Sequence, residues 1–320
     1  MAGDGYQTQL NQLLPVKLPS AEQLPTLLWY AGCERHFLQV PSPNLKVVTF
    51  TVGETGAFPS RDVFEALLSL ENFGCTISDQ DEHPSLVQSV LSALRGGVAF
   101  QCLRELGLEY RHIQIIDLDA LLDALADAAC AFHLECLKLY GCQIDSQSIG
   151  KLAEHLAQDK FPALKHLNVG MSFTIADAGI VALCNGLLSA PCTRLASLDL
   201  SGTLMDHLGM ATLGDVIRAR RLTRLETLQL THNVNMIDKS VFILAGAIQQ
   251  TMNALPRLRT MMMSGLRKVT GVAVGVLVTT IIHNCPQIEL VDMGGVSNRA
   301  GRDSLIQMLC TLNYKGTVRL

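Results

Sequence analysis

Two groups of side chains in this 320-residue sequence are of types that could do chemistry together. The first is Glu105, Glu109, Lys138, Tyr140 and His166, two carboxylates with an ammonium, a phenol and an imidazole drawn from three successive segments. The second is basic: Arg218, Arg220, Arg221 and Arg224, followed further along by Arg257 and Arg259. Mixed polar groups of the first kind suit recognition of a partner's surface. Clustered guanidinium groups of the second kind suit an acidic one, because each presents a planar fork of donors that matches carboxylates. The patterns that build a catalytic or cofactor centre are missing: there is no P-loop, no G-x-G-x-x-G, no H-E-x-x-H and no G-x-S-x-G. Asp81-Glu82-His83 stands before Pro84 and reads as a solvated turn. His133, His155 and His283 fall on or beside predicted helices, where a structural role is the ordinary one. Ten cysteines are scattered without a C-x-x-C pair, which is not how zinc is held. The expectation is therefore a protein that is not an enzyme and that uses no cofactor and no metal.

Composition fixes the class. Apolar residues make up 48%, charged ones 17%, and mean hydropathy is +0.27, so the chain can bury a large core rather than stay disordered. Aromatics are only 5%, so Leu, Val, Ile, Ala and Met must fill that core. The net charge of −4 argues against nucleic acid as a partner. That charge is unevenly placed: residues 1–160 carry 10 basic and 20 acidic residues, a net of −10, whereas residues 161–320 carry 15 and 9, a net of +6. The apolar run Val269–Ile282 is too short to span a bilayer and reads as a buried helix, so no membrane is expected. The first residues lack both a secretory pattern and an arginine-rich presequence, which together with reduced, buried thiols predicts a cytoplasmic protein.

The elements that must position the candidate residues come from a repeat. L-x-x-L-x-L recurs at Leu103, Leu134, Leu164, Leu195, Leu225 and Leu258, the last with Met261 and Met263 replacing Leu, and weaker copies begin at Leu45, Leu70 and Ile288. Each copy is followed by apolar residues at steps of three and four, as in Ile149, Leu152, Ala153 and Leu156, or, after Asp206, in Leu208, Leu213, Val216 and Ile217, which is a helical stripe. Asp145, Asp177 and Asp238 stand near the predicted helix starts, where carboxylates accept orphan backbone N–H bonds. A short strand and one helix cannot enclose their own leucines, so the units must stack into a solenoid. Strands pair at ~4.8 Å while packed helices need ~8–10 Å, which bends the stack with the sheet inside. In this register Glu105, Glu109, Lys138, Tyr140 and His166 point outward from the concave sheet. The arginines flank loops that enter two successive strands, so they share one edge.

This pattern resembles the leucine-rich repeat family, and Ile175-Ala-Asp-Ala-Gly-Ile-Val-Ala-Leu183 and Leu244-Ala-Gly-Ala-Ile248 are similar to its ribonuclease-inhibitor subclass. Cys142 is similar to the cysteine-containing subclass of F-box proteins. Where the family places Asn or Cys after the strand, this chain has Cys142 and Asn233, with Ser78, Ser172 and Thr203 as substitutes. The resemblance covers about residues 45–320. It implies an α/β, right-handed horseshoe of about nine repeats, with a parallel concave sheet and convex helices. Residues 1–44, broken by Pro15, Pro19, Pro25, Pro41 and Pro43, read as an N-terminal cap with a short helix from Ser20 to Tyr30. Leu24-Pro-Thr-Leu-Leu28 within them offers a degenerate F-box. Leu309–Asn313 should end the ninth helix, and Gly316–Leu320 reads as a tenth strand whose edge is open to a neighbour.

The function expected from these readings is a non-catalytic protein–protein interaction scaffold or structural subunit. Its partner would belong to a large assembly with an acidic surface facing the C-terminal half. Relatives of this repeat type in cytoskeletal and ciliary assemblies make such a location an expectation by resemblance. The same resemblance implies two alternatives: a GTPase-activating protein of the Ran type, and a ubiquitin-ligase substrate adaptor.

Overall fold

The computed structural model describes residues 26–29, 47–52, 71–77, 84–96, 100–110, 118–142, 144–190, 194–295 and 316–319. Eleven strands form one sheet in strict chain order, with every pairing parallel. They are β1 (Thr26–Trp29), β2 (Val47–Val52), β3 (Asn72–Ile77), β4 (Glu105–Tyr110), β5 (Cys136–Lys138), β6 (His166–Asn168), β7 (Ser197–Asp199), β8 (Thr227–Gln229), β9 (Thr260–Met262), β10 (Leu290–Asp292) and β11 (Thr317–Arg319). Helices α1 (Pro84–Arg95), α2 (Leu118–Asp127), α3 (Ser146–Ala157), α4 (Ala176–Ser189), α5 (His207–Arg218), α6 (Asp238–Gln250) and α7 (Gly271–Asn284) lie between strands. A parallel sheet with one helix in each crossover from β3 to β10, each helix packed on the next, is a leucine-rich-repeat solenoid.

The register is the one the leucines set. Leu106, Leu137, Leu167, Leu198, Leu228, Met261 and Val291 are mutual Cα partners across seven strands. All seven are buried, Leu167 and Leu198 among them. Each helix lays its stripe on this ladder: Ile149, Leu152, Ala153 and Leu156 from α3, and Val241, Leu244, Ala245 and Ile248 from α6. At about 25 cal/mol per Å2 of apolar surface removed from water, this continuous interior is the main source of stability.

Three local expectations change. Thr26–Trp29 is a strand, not the end of a helix: its backbone pairs with β2 and continues the sheet as a further parallel member. Leu208 does not join the α5 stripe; as the second residue of that helix it turns outward and is 57% exposed. The run Val269–Ile282 does form a helix, α7, but only its inner face is buried. Asp81-Glu82-His83, Ser78 and Leu309–Asn313 lie outside the described residues.

The polar position after each strand works as the repeat requires. Cys142, Ser172, Thr203 and Asn233 occupy it in successive turns and are completely buried. Cys142 Sγ donates to the Leu108 carbonyl at 3.1 Å, and Ser172 Oγ to that of Cys142 at 3.5 Å. Asn233 does most: its Nδ2 donates to the carbonyls of Leu200 (2.8 Å) and Leu230 (3.1 Å). Its Oδ1 accepts from the backbone N–H of Thr203 (3.0 Å) and Met205 (3.1 Å). Cys142, Ser172 and Asn233 thus satisfy backbone groups of the preceding turn, while Thr203 Oγ1 donates to the Leu200 carbonyl of its own turn at 3.0 Å.

Candidate functional site

The concave group is only partly assembled. Lys138 Nζ bonds the Glu105 carboxylate across the sheet, and Cys136 sits beside His166 in the strand register. Tyr140 and His166 are exposed, and Tyr140 lies two residues beyond the end of β5. Glu109 lies in β4, and its side chain is outside the described set. The Cys136 thiol is pushed up to about 11 by burial and then by the neighbouring Glu105 charge, so it stays protonated and is no nucleophile. Burial does the same to Cys130, to about 11, and to Cys184 and Cys285, to about 12. Among the described residues there is no cluster of three or more His, Cys, Asp or Glu placed to hold a metal ion. Asp199 is the other notable concave group. Its Oδ1 accepts from Ser201 N–H at 2.9 Å, the bond that Asn168 makes to Gly170 at 2.8 Å and Asp292 to Gly294 at 3.0 Å. Burial raises its carboxyl above the ordinary range.

The edge where strands begin is a charge ladder. The residue after the first leucine of each repeat forms a column joined by backbone bonds: Glu135 N to Arg104 O, Lys165 N to Glu135 O, and on to Arg259 N to Glu226 O and Glu289 N to Arg259 O. Glu135 is shared by Arg104, at 3.0 Å, and Lys165, at 2.6 Å, and Arg259 pairs with Glu289. The Lys165 hydrogen bond, helped by the Arg104 charge, holds the Glu135 carboxyl below its usual range.

The six arginines singled out from sequence share this edge but divide there. Arg218 bonds Asp215 on α5, Arg259 is paired with Glu289, and Arg221 is half-buried with contacts of its own. Arg220, Arg224 and Arg257 are exposed and have no ion pair among the described residues. Sequence reasoning missed a fourth member. Arg194 immediately precedes Leu195, as Arg224 precedes Leu225 and Arg257 precedes Leu258. The three stand in one column on successive turns, all exposed and none ion-paired among the described residues. The signal was in the sequence, one position before the repeat's first leucine.

The edge where strands end is made differently. One residue per turn takes a left-handed backbone: Gly141, Met171, Gly202, His232, Gly265 and Gly295, with φ between 57° and 84°. Glycine tolerates this conformation, and the two exceptions, Met171 and His232, each lay their side chain over a glycine in the next turn. A Cβ on Gly202 would stand 2.8 Å from Met171 Sδ, and one on Gly265 only 2.5 Å from His232 Nδ1. Beyond this turn the helices are capped across repeats. Asp145 caps its own helix through Ser148 N, as expected. Asp177 and Asp238 instead reach the following turn, Asp177 accepting from Asp206 N and Gly209 N, and Asp238 from Thr270 N and Oγ. Burial, and then the hydrogen bond with Asp206, raises the Asp177 carboxyl. No helix among the described residues is long and apolar enough to cross a membrane.

No family model matches this chain, and no curated protein matches it. Among solved structures it is similar to a chain in a crystal structure of a yeast complex of Rad7 and Elc1. That likeness covers 81% of this chain and 67% of that one, at 16% identity and a TM-score of 0.49.

Proposed function

We propose that this protein is a non-catalytic protein–protein interaction scaffold, a structural subunit of a larger cytoplasmic assembly. We also assign its repeats to the ribonuclease-inhibitor-like type, since each described unit from β5 to α7 pairs one three-residue strand with a full helix of 12 to 14 residues. The observation that carries the functional reading is the Arg194–Arg224–Arg257 column. Elsewhere on the same edge Arg104 and Lys165 share the Glu135 carboxylate, and Arg259 pairs with Glu289. Three aligned guanidinium groups with no ion-pair partner among the described residues repel one another, and an acidic surface relieves that repulsion while gaining bidentate bonds. The partner therefore presents carboxylates to the strand-entry edge of the C-terminal half.

The test is native co-purification at physiological salt with Arg224→Glu/Arg257→Glu. The expected result is loss of the partner with an unchanged melting temperature, because both side chains are exposed. Retention of the full complement of partners would overturn the acidic-surface reading. The identity of the lost chain then separates the alternatives: a small GTPase would point to the GTPase-activating function, and a ubiquitin-ligase core subunit to the adaptor.

A further inference from the structure

A second surface lies at the opposite end of the repeats, and it does not involve the arginine column. Helix α7 reads GVAVGVLVTTIIHN, with no acidic residue, lysine or arginine anywhere along it. An outer helix of a solenoid ordinarily keeps charge on its solvent side. Here Ala273, Val274, Leu277, Val278 and Ile281 fill the interior, while Val272 and Val276, one turn apart, are 70% and 43% exposed. The adjoining α6 presents Phe242, and the loop leading into α6 presents Val234 and Ile237; α5 adds Leu208. These elements are contiguous. Helices α5, α6 and α7 pack in order, and Asp238 at the start of α6 bonds both the N–H and the hydroxyl of Thr270 at the start of α7. Six large apolar side chains gathered on the N-terminal halves of three stacked helices and the loop before α6 are a patch rather than scattered surface residues.

The charges around this patch are of both signs, but they differ in what they already hold. The nearby carboxylates are occupied: Asp206 accepts from Leu208 N at 2.8 Å, and Asp238 is held by Thr270. Of the cations, Lys239 lies within electrostatic reach of Asp206, whereas Arg267 and Lys268 have no carboxylate partner among the described residues. Lys239 falls between Leu208 and Val272 in the helix register, and Arg267 and Lys268 follow in the loop stacked on that of Val234. All three are exposed, and none forms an ion pair among the described residues. An apolar centre with a polar, charged rim is the anatomy of a protein-docking site, and the cations with no carboxylate partner, Arg267 and Lys268, favour a partner that brings carboxylates. Three cations are fewer than the roughly 4–8 that mark a surface for anionic lipid.

We propose that this corner docks a segment of a partner protein that carries several apolar side chains flanked by carboxylates. The apolar side chains cover Phe242, Val272 and Val276, and the carboxylates meet Arg267, Lys268 and Lys239.

The probe is a phage-displayed library of random 16-residue peptides selected on the full-length protein. Enriched peptides are expected to combine apolar residues with an Asp/Glu cluster at one end. Their affinity, read by fluorescence anisotropy, should fall about tenfold or more with Val272→Asp/Val276→Asp, the scale of a lost interface hot spot. Arg267→Glu/Lys268→Glu should weaken these peptides and favour versions with Lys in place of the acidic cluster. That charge exchange decides the matter on its own should the aspartate pair lower the melting temperature. Arg224→Glu/Arg257→Glu should leave binding unchanged, which keeps this surface distinct from the other edge. Failure to enrich peptides, enrichment without carboxylates, or indifference to both pairs of substitutions would overturn the proposal. So would a homodimer in sedimentation that Val276→Asp dissociates, or capture by vesicles containing one quarter phosphatidylserine that the same change abolishes.

Discussion

Where the strands begin, successive turns are tied by charge at the surface: Glu135 holds Arg104 on one side and Lys165 on the other, and all three side chains reach solvent. Where the strands end, they are tied by groups that see no water: Cys142, Ser172 and Asn233 bond backbone of the preceding turn, and Thr203 bonds the Asn233 side chain of the next. Both devices join the same neighbours at the same spacing. Their energetics differ because water competes for an exposed ion pair and cannot compete for a buried amide. The buried edge therefore carries stability, and the charged edge is left open to change its partners. The unpaired Arg194, Arg224 and Arg257 belong to that second edge.

The comparison breaks most readily at Asn233. Asn233→Ala removes two donations and strands the N–H groups of Thr203 and Met205 in the interior. The expected loss is about 3 kcal/mol, at the upper end for buried groups left unsatisfied. Urea melts followed by circular dichroism would measure it. A loss under about 0.5 kcal/mol, the size of an ordinary surface change, would mean that this edge is no stiffer than the other.

A smaller effect probes the left-handed turn. Gly265→Ala places a Cβ against the His232 ring in a backbone conformation with φ of 77°. The cost should be about 2 kcal/mol, the left-handed penalty for an L-residue with the steric contact added. His232→Ala in the same chain should recover part of it, since only the ring is in the way. The recovered part, read from a double-mutant cycle, measures how tightly these loops stack; no recovery would show that the backbone alone sets the cost.

The ladder of buried leucines could be read before any coordinates, because a strand–helix unit with one apolar face has few ways to hide it. Leu167 and Leu198 are buried as the repeat demands, and the strands begin where the leucine pattern places them. The edges were harder. Grouping arginines by nearness in sequence put Arg218 and Arg224 together, but stacking groups them by position within the repeat. Position within the repeat separates the paired Arg218 and joins Arg224 to Arg194, thirty residues earlier. Leu208 and Val272 fooled the helical stripe for a related reason. An apolar residue in the first turn satisfies the three-and-four spacing and still faces outward, because the helix begins at the rim of the layer. The glycines at 141, 202, 265 and 295 share a repeat position too, and only the φ angles show that it is a turn where glycine is preferred.

The smallest effect expected lies on the charged edge. The Glu135 carboxyl is held below its ordinary value of 4.5, first by the Lys165 hydrogen bond and then by the charge of Arg104. A carboxyl lowered on folding adds stability that is fully present above the unfolded value and disappears as pH falls through the folded one. Because the side chain is about a third exposed, at 31%, solvent screens most of that gain, and Glu135→Gln should cost less than about 1 kcal/mol at pH 7. The difference between the two proteins should start to shrink as pH falls below 4.5 and vanish once pH is below the lowered folded value, and it should also close in 1 M salt, where the screening length shrinks to about 3 Å. On the same edge Arg194→Gln should move stability the other way, by a few tenths of a kcal/mol in low salt, because it relieves repulsion in a column that lacks a carboxylate. Chemical melts of both variants across pH and salt would show opposite signs that converge at high salt. If Arg194→Gln instead destabilised the protein in low salt, the arginine column would be paired in solution, and its availability to an acidic partner would be lost as an explanation for this edge.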